Sequence, residues 1–160
     1  MRPILAACVV ASVAVGLAVI LVLAPTAKAQ TGAGADAASE PAAPSISDIM
    51  TRQQRRHIKL WFAGRGGNWP LADFEIDALK DGFEDLNNML GGETVKDAVG
   101  APIAALEKAI DAKDRAAFTS AYDKLSAGCN SCHHTLDHAF IVIQRPTVLP
   151  YSDQSFAPPK

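Results

Sequence analysis

The sequence has few cysteines, no excess of positive charge and no internal repeat. Three of its 160 residues are cysteine, and the formal net charge at pH 7 is −2. A small secreted scaffold held together by disulfides needs a denser set of cysteines, so none is expected here. A protein that binds nucleic acid through its phosphates needs clustered lysine and arginine, which this composition does not indicate. The length instead suits one domain with terminal extensions.

The N-terminal 45 residues have the composition of an export signal followed by a linker. Residues 3–25 carry no charge, and residues 27–29 form the small-x-small pattern that signal peptidase reads, which predicts a signal peptide over residues 1–29. An uncleaved anchor remains the alternative, because about 20 apolar residues can span a bilayer. Residues 30–45 are rich in alanine, glycine and proline and cannot bury enough surface to offset their ordering entropy, so we predict a flexible linker.

Apolar residues then recur at three- and four-residue steps, which predicts amphipathic helices. Ser45 and Asp48 have the spacing of a capping box at the start of the first helix, and the glycines within residues 64–67 end it. Pro70 suits the first turn of a second helix, which keeps its period until Gly91. Both helices are therefore bounded by local signals.

The sequence of the second half of the domain predicts two more helices. The third is expected to begin near Pro102, with residues 95–99 as a separate turn, and Asp114 is expected to cap the fourth. Short connections favour antiparallel neighbours, so the sequence predicts an all-α protein in which residues 46–138 form an up-down-up-down four-helix bundle. Four prolines preclude a long helix in residues 139–160, which we expect to form an extended C-terminal tail packed on the bundle.

The segment Cys129-Asn130-Ser131-Cys132-His133 carries the most specific chemistry in the chain. C-x-x-C-H is the attachment signature of c-type haem, in which two thiols form thioethers to the macrocycle and the histidine supplies an imidazole to the iron. Positions i, i+3 and i+4 share one face of a helix, so Cys129, Cys132 and His133 would point at one ligand. One covalent haem c is therefore the expected cofactor, and an exported location agrees with it.

Three other uses of these cysteines stay open. A thioredoxin-like redox pair belongs at the start of a helix after a strand, whereas this motif lies near a helix end. Zinc could be bound by Cys129, Cys132, His134 and His138, but the cysteine pair and the histidine pair lie much closer together in this sequence than in the usual zinc finger. A disulfide between Cys129 and Cys132 would strain a regular helix.

An export signal, a four-helix bundle and CNSCH late in the last helix resemble class II c-type cytochromes, the cytochrome c′ family. The resemblance covers residues 46–138 by architecture and only Cys129, Cys132 and His133 by motif. It implies a periplasmic haem protein, with His133 as the proximal iron ligand, that transfers electrons or leaves the sixth iron position open to small gases. The 27 residues after His133 exceed the short end expected in that family, so we expect the tail to cover the haem edge or a partner site.

The sixth iron ligand is expected from the first helix. In an up-down bundle its start lies level with the end of the fourth, so residues 50–53 face His133. The resemblance implies that Met50 is the distal ligand, although core packing explains a methionine on a helix face equally well. His57 is the second choice, and a hydrogen-bonded core histidine is the simpler explanation for it. Gln53 could instead face an open sixth position.

The remaining candidates have ordinary structural explanations. Arg52, Arg55 and Arg56 could bind haem propionates because guanidinium groups pair bidentately with carboxylates, but a solvated helix face suits each of them better. We expect exposure for His134 and His138 and packing for Trp61 and Trp69.

The sequence thus predicts an exported mono-haem cytochrome that passes electrons to a periplasmic partner protein and is not an enzyme. No paired carboxylates, nucleophile–base pair or phosphate-binding loop indicates catalysis. The alternatives are a five-coordinate protein that binds nitric oxide or carbon monoxide and, less favoured, a haem-free thiol protein. Without residues 1–29 the chain has 13 basic and 17 acidic residues, and this charge of −4 permits docking to a basic patch. Neither nucleic acid nor, apart from an uncleaved leader, a membrane is an expected partner, and a homodimer stays open.

Overall fold

The computed structural model describes residues 43–160, and all regular secondary structure in this range is helical. The four helices are α1 (Ile46–Gly66), α2 (Trp69–Leu90), α3 (Thr94–Asp111) and α4 (Arg115–Thr135). The predicted signal peptide and all but the last three residues of the predicted linker lie outside the described residues. No helix among the described residues is both long and apolar enough to cross a membrane.

The helix ends form where the sequence signals predict them. The Asp48 amide donates to Ser45 Oγ at 3.2 Å while the Ser45 amide donates to Asp48 Oδ2 at 3.0 Å, which completes the capping box. Gly67 closes α1 with φ of 79°, a conformation in which a side chain would be strained. Asp114 Oδ1 accepts from the amides of Ala116 and Ala117 at the start of α4. The predicted caps of α1 and α4 are therefore confirmed.

The predicted start of the third helix is wrong. The helix begins eight residues earlier, at Thr94, and Pro102 lies inside it. Val95 and Val99 continue the buried stripe of the helix and are each only 2% exposed, so burial of that face outweighs the local preference against an internal proline. Proline has no N–H to offer the carbonyl four residues back, which is that of Ala98. That carbonyl lies against Gly128 of α4, where the missing side chain leaves room for it.

The four helices form a bundle in which each packs against the next and α4 closes back onto α1. Its core is built from one apolar face of each helix, and the largest fully buried side chains include Ile49, Leu79, Leu106 and Tyr122. The all-α four-helix architecture predicted from the sequence is confirmed. Trp61 and Trp69 pack as expected, with ring centroids 6.4 and 6.1 Å from that of Phe118.

The C-terminal tail runs back along α1 and α4 without forming a helix or strand. Arg145 makes a two-pronged ion pair with Asp123 of α4, at 3.1 and 2.5 Å, and its guanidinium lies 4.6 Å from the ring centroid of Trp61 on α1. Further along, Phe156 is 8% exposed and packs against Phe62. The tail therefore bridges the first and last helices, which pack less extensively on each other than the sequential pairs do.

The contact between α3 and α4 gives a direct test of this packing. A methyl group added at Gly128 would overlap the Ala98 carbonyl oxygen, so we expect Gly128→Ala to lower the free energy of unfolding by about 1–3 kcal/mol. Gly100 is the matched control, because its added methyl would meet only the flexible Lys96 side chain at 3.7 Å. Gly100→Ala should stabilise the protein by roughly 0.5–1 kcal/mol, since alanine is the better helix former. Urea titrations of both variants measure the difference, and equal effects would contradict the close approach.

Candidate functional site

A cavity of about 280 Å³ opens at the end of the bundle where α1 begins and α4 ends. All four helices and the tail contribute to its wall, which is mostly apolar with a few polar groups, as is usual for a ligand site. Its lining residues are Ser47, Met50, Thr51, Gln53, Gln54 and His57 of α1; Leu79, Phe83 and Leu86 of α2; Val95 and Val99 of α3; Cys129, Cys132 and His133 of α4; and Ile141 and Ile143 of the tail.

The structure brings the three motif residues together in this cavity. Cys129, Cys132 and His133 lie within α4 and all line the wall, as their helical spacing predicts. Both cysteines are free thiols. Burial raises the pKa of the Cys129 thiol to about 12, with a contribution from nearby Cys132, and burial also raises the pKa of Cys132. Reactive redox cysteines have lowered pKa values, so this environment does not favour the thioredoxin-like alternative.

The His133 imidazole is oriented by the tail. Its Nδ1 lies 2.9 Å from the carbonyl oxygen of Ile141, and because a carbonyl only accepts, Nδ1 carries the proton and donates. In the neutral ring, Nε2 is then the nitrogen with a free lone pair. A metal-binding histidine typically donates a hydrogen bond from the ring nitrogen that does not bind the metal, because this bond fixes both the tautomer and the ring orientation.

Across the cavity, α1 contributes the two residues expected near the sixth iron position. Met50 is half-buried and lines the wall. Gln53 also lines it, but its Nε2 donates to the carbonyl of Leu79 at 2.8 Å, which ties the amide to α2. Of the two, Met50 is the side chain that no described hydrogen bond holds elsewhere.

His57 lies deeper on the same face and is part of a buried polar network. Ser126 Oγ donates to the Tyr122 carbonyl at 3.1 Å, so it accepts from His57 Nε2 at 2.9 Å. The Tyr122 hydroxyl lies 2.8 Å from His57 Nδ1 and 2.9 Å from the His57 carbonyl. In a neutral ring protonated at Nε2, Nδ1 is an acceptor, so these two acceptors share the single proton of the hydroxyl. Both ring nitrogens thus have protein partners, which fits the core-histidine explanation and leaves neither free for iron. Burial lowers the pKa of His57 to about 4.

The other candidates lie away from the cavity wall. Arg52 and Arg55 are exposed, and Arg56 pairs at 3.0 Å with Glu75, which is only 1% exposed. His134 and His138 are exposed. Within residues 43–160, no cluster of three or more histidine, cysteine, aspartate or glutamate side chains is placed to hold a metal ion.

Sequence reasoning missed three residues at this site. Asn130 forms two hydrogen bonds to the backbone of Ile143, and Ile141 and Ile143 place the tail on the cavity wall. The sequence leads us to expect that the tail covers the motif, but no local pattern identifies Asn130 as the residue that anchors the tail. The only signal in the sequence was the run of three β-branched apolar residues at positions 141–143, which favours an extended segment but does not say what it covers.

The buried His57 predicts a stability that depends on pH. Its pKa is about 4 in the fold and near 6.5 when unfolded, so the unfolded chain binds more protons between these values. The stabilisation that comes from keeping His57 neutral is fully present above pH 6.5. As the pH falls to about 4, the free energy of unfolding should decrease by about 3 kcal/mol. Denaturant titrations at pH 7 and pH 4 should show this loss in the wild type and in His134→Gln, whose side chain is exposed. His57→Gln should lack it, and an unchanged pH dependence in His57→Gln would refute the assignment.

No protein-family model, curated protein or solved structure matches the chain.

Proposed function

We propose that the chain is an exported mono-haem c-type cytochrome that transfers electrons in the periplasm. The observation that carries the proposal is that Cys129, Cys132 and His133 line one largely apolar cavity, with Met50 on its opposite helix. This donor set suits haem c, since two thiols can form thioethers while one imidazole binds iron. The export signal predicted in residues 1–29 supports the location.

Each residue has a defined part in this proposal. Cys129 and Cys132 would hold the macrocycle covalently, and His133 would bind the iron through Nε2 while Ile141 holds its Nδ1–H. Bound haem supplies a one-electron couple. The apolar walls from α2 and α3 exclude water, which favours a raised potential, and a methionine ligand would raise it further.

The proposal does not assign catalysis. The polar side chains on the cavity wall do not include a pair of carboxylates for acid–base chemistry, and His57 is occupied by Tyr122 and Ser126. If Met50 does not bind iron, the same cavity offers an open sixth position to a diatomic gas, which is the second candidate function.

The first test is an absorption spectrum of the full chain produced in a host that attaches haem c. We expect haem colour that stays with the polypeptide after denaturation and extraction with acidic acetone, because thioethers survive both. Cys129→Ser and Cys132→Ser should each leave one thioether, and the double variant should release the haem. A colourless wild-type protein with two titratable thiols would refute the proposal and favour the thiol-protein alternative.

His133→Gly and His134→Gly form a matched pair for the iron ligand. The two histidines are adjacent, but only His133 lines the cavity, and His134 is exposed. His133→Gly should keep the covalent haem and lose the native spectrum, and added imidazole should restore it. His134→Gly should look like the wild type. The same spectrum for both variants would show that His133 is not the ligand.

Met50→Ala and Met89→Ala separate the two candidate functions. Met89 is the control because it lies near the end of α2, is 49% exposed and does not line the cavity. If Met50 binds iron, Met50→Ala should convert low-spin iron to high-spin and let the ferrous protein bind carbon monoxide, whereas Met89→Ala should do neither. A wild type that is already high-spin and binds carbon monoxide would favour the gas-binding function.

A further inference from the structure

The side chain of Asn130 joins the haem-attachment motif to the C-terminal tail. Its Nδ2 donates to the carbonyl of Ile143 at 2.8 Å, and its Oδ1 accepts from the amide of Ile143 at 2.7 Å. One side-chain amide thus satisfies both backbone groups of a single residue, as a neighbouring strand would. Asn130 is partly buried, so these bonds are shielded from competing water on at least one side.

The tail residue two positions before this clamp is the partner of His133. The Ile141 carbonyl accepts from His133 Nδ1 at 2.9 Å, so the carbonyls of Ile141 and Ile143 both face α4. Val142 between them is 70% exposed and does not line the cavity, whereas Ile141, which is 42% exposed, and Ile143 both do. This alternation is that of an extended segment, in which fixing one residue also sets the direction of the residue two positions away.

We propose that Asn130 is a positioning residue that fastens the tail so that the Ile141 carbonyl holds the His133 imidazole in its Nδ1–H form. This proposal rests on the proposed function for its effect on iron, but not for its effect on the imidazole. A carbonyl acceptor on Nδ1 makes Nε2 a stronger electron donor, which favours the ferric state. Asn130 would thereby lower the reduction potential without touching the iron.

Two backbone hydrogen bonds also hold the start of the tail: the His138 amide donates to the His133 carbonyl at 2.7 Å, and the Ile141 amide donates to the His138 carbonyl at 2.9 Å. They fix the chain up to the Ile141 amide, whereas Asn130 fixes it beyond the Ile141 carbonyl.

The remaining attachments are farther from His133. The ion pair of Arg145 with Asp123 is four residues from Ile141 and is exposed to solvent, and exposed ion pairs contribute little. Phe156 and Ala157 attach the tail at the far end of α1. Among the described side chains, Asn130 is therefore the one that hydrogen-bonds the tail backbone beside His133.

Asn130→Ala tests the proposal, with Ser131→Ala as the matched control. Ser131 is the other residue between the two cysteines, and its side chain is exposed and makes no described hydrogen bond. In the purified full chain, Asn130→Ala should speed hydrogen exchange of the Ile143 amide by roughly tenfold or more, because its acceptor is gone. The ring ¹⁵N shifts of His133 should change from a single Nδ1–H tautomer to a mixture. Ser131→Ala should change neither.

In the haem-loaded protein, Asn130→Ala should raise the midpoint potential. We expect a roughly tenfold change in the reduction equilibrium, which is about 59 mV for a one-electron couple. A merely structural role would speed exchange across the tail without moving the potential or the tautomer, and that result would overturn the proposal. If the wild type carries no haem, the proposed function fails, while the exchange rate and the His133 tautomer still decide whether Asn130 positions the imidazole.

Discussion

The orientation of α4 is the constraint on which the rest of the molecule depends. One face of this helix supplies core residues near its start, including Phe118 and Leu125, and presents Cys129 and Cys132 near its end. Each fully buried side chain of this size contributes about 1.5–3 kcal/mol, so rotating the helix to move the motif would expose several of them. Hydrophobic packing therefore fixes where the two thiols point, and no separate device is needed.

Buried polar contacts, together with aromatic packing of Trp61, hold the first helix against α4. His57, Tyr122 and Ser126 form a closed set of buried hydrogen bonds between the two helices. A buried group that loses its partner costs about 1–3 kcal/mol, so this set permits one register of α1 along α4. That register places Met50 in the same cavity as the motif. His57, a candidate iron ligand in the sequence, thus serves instead to align the helix that carries Met50, the other candidate.

The parts of this arrangement that follow local rules were predictable, and the parts that depend on distant contacts were not. The capping box of Ser45, the helical stripes and the grouping of Cys129, Cys132 and His133 all come from spacing within one helix. Pro102 misled the prediction because its effect on the helix is local, whereas the burial that overrides it comes from α2 and α4. Asn130 was missed because its partner lies in an irregular segment whose path no periodicity indicates. Haem itself stays a prediction from the motif and from the cavity that surrounds it.

The contacts of α1 with α4 join residues far apart in the chain, 65 positions for His57 and Tyr122, whereas the more extensive helix contacts link consecutive helices. Closing such a long loop costs more entropy than pairing adjacent helices, so we expect α1 to dock on α4 late in folding. Until then the end of α4 packs against α3 but not against α1. If the motif carries haem, as proposed, its cysteines would be accessible for thioether formation before α1 docks, and docking of α1 would then enclose the attached group.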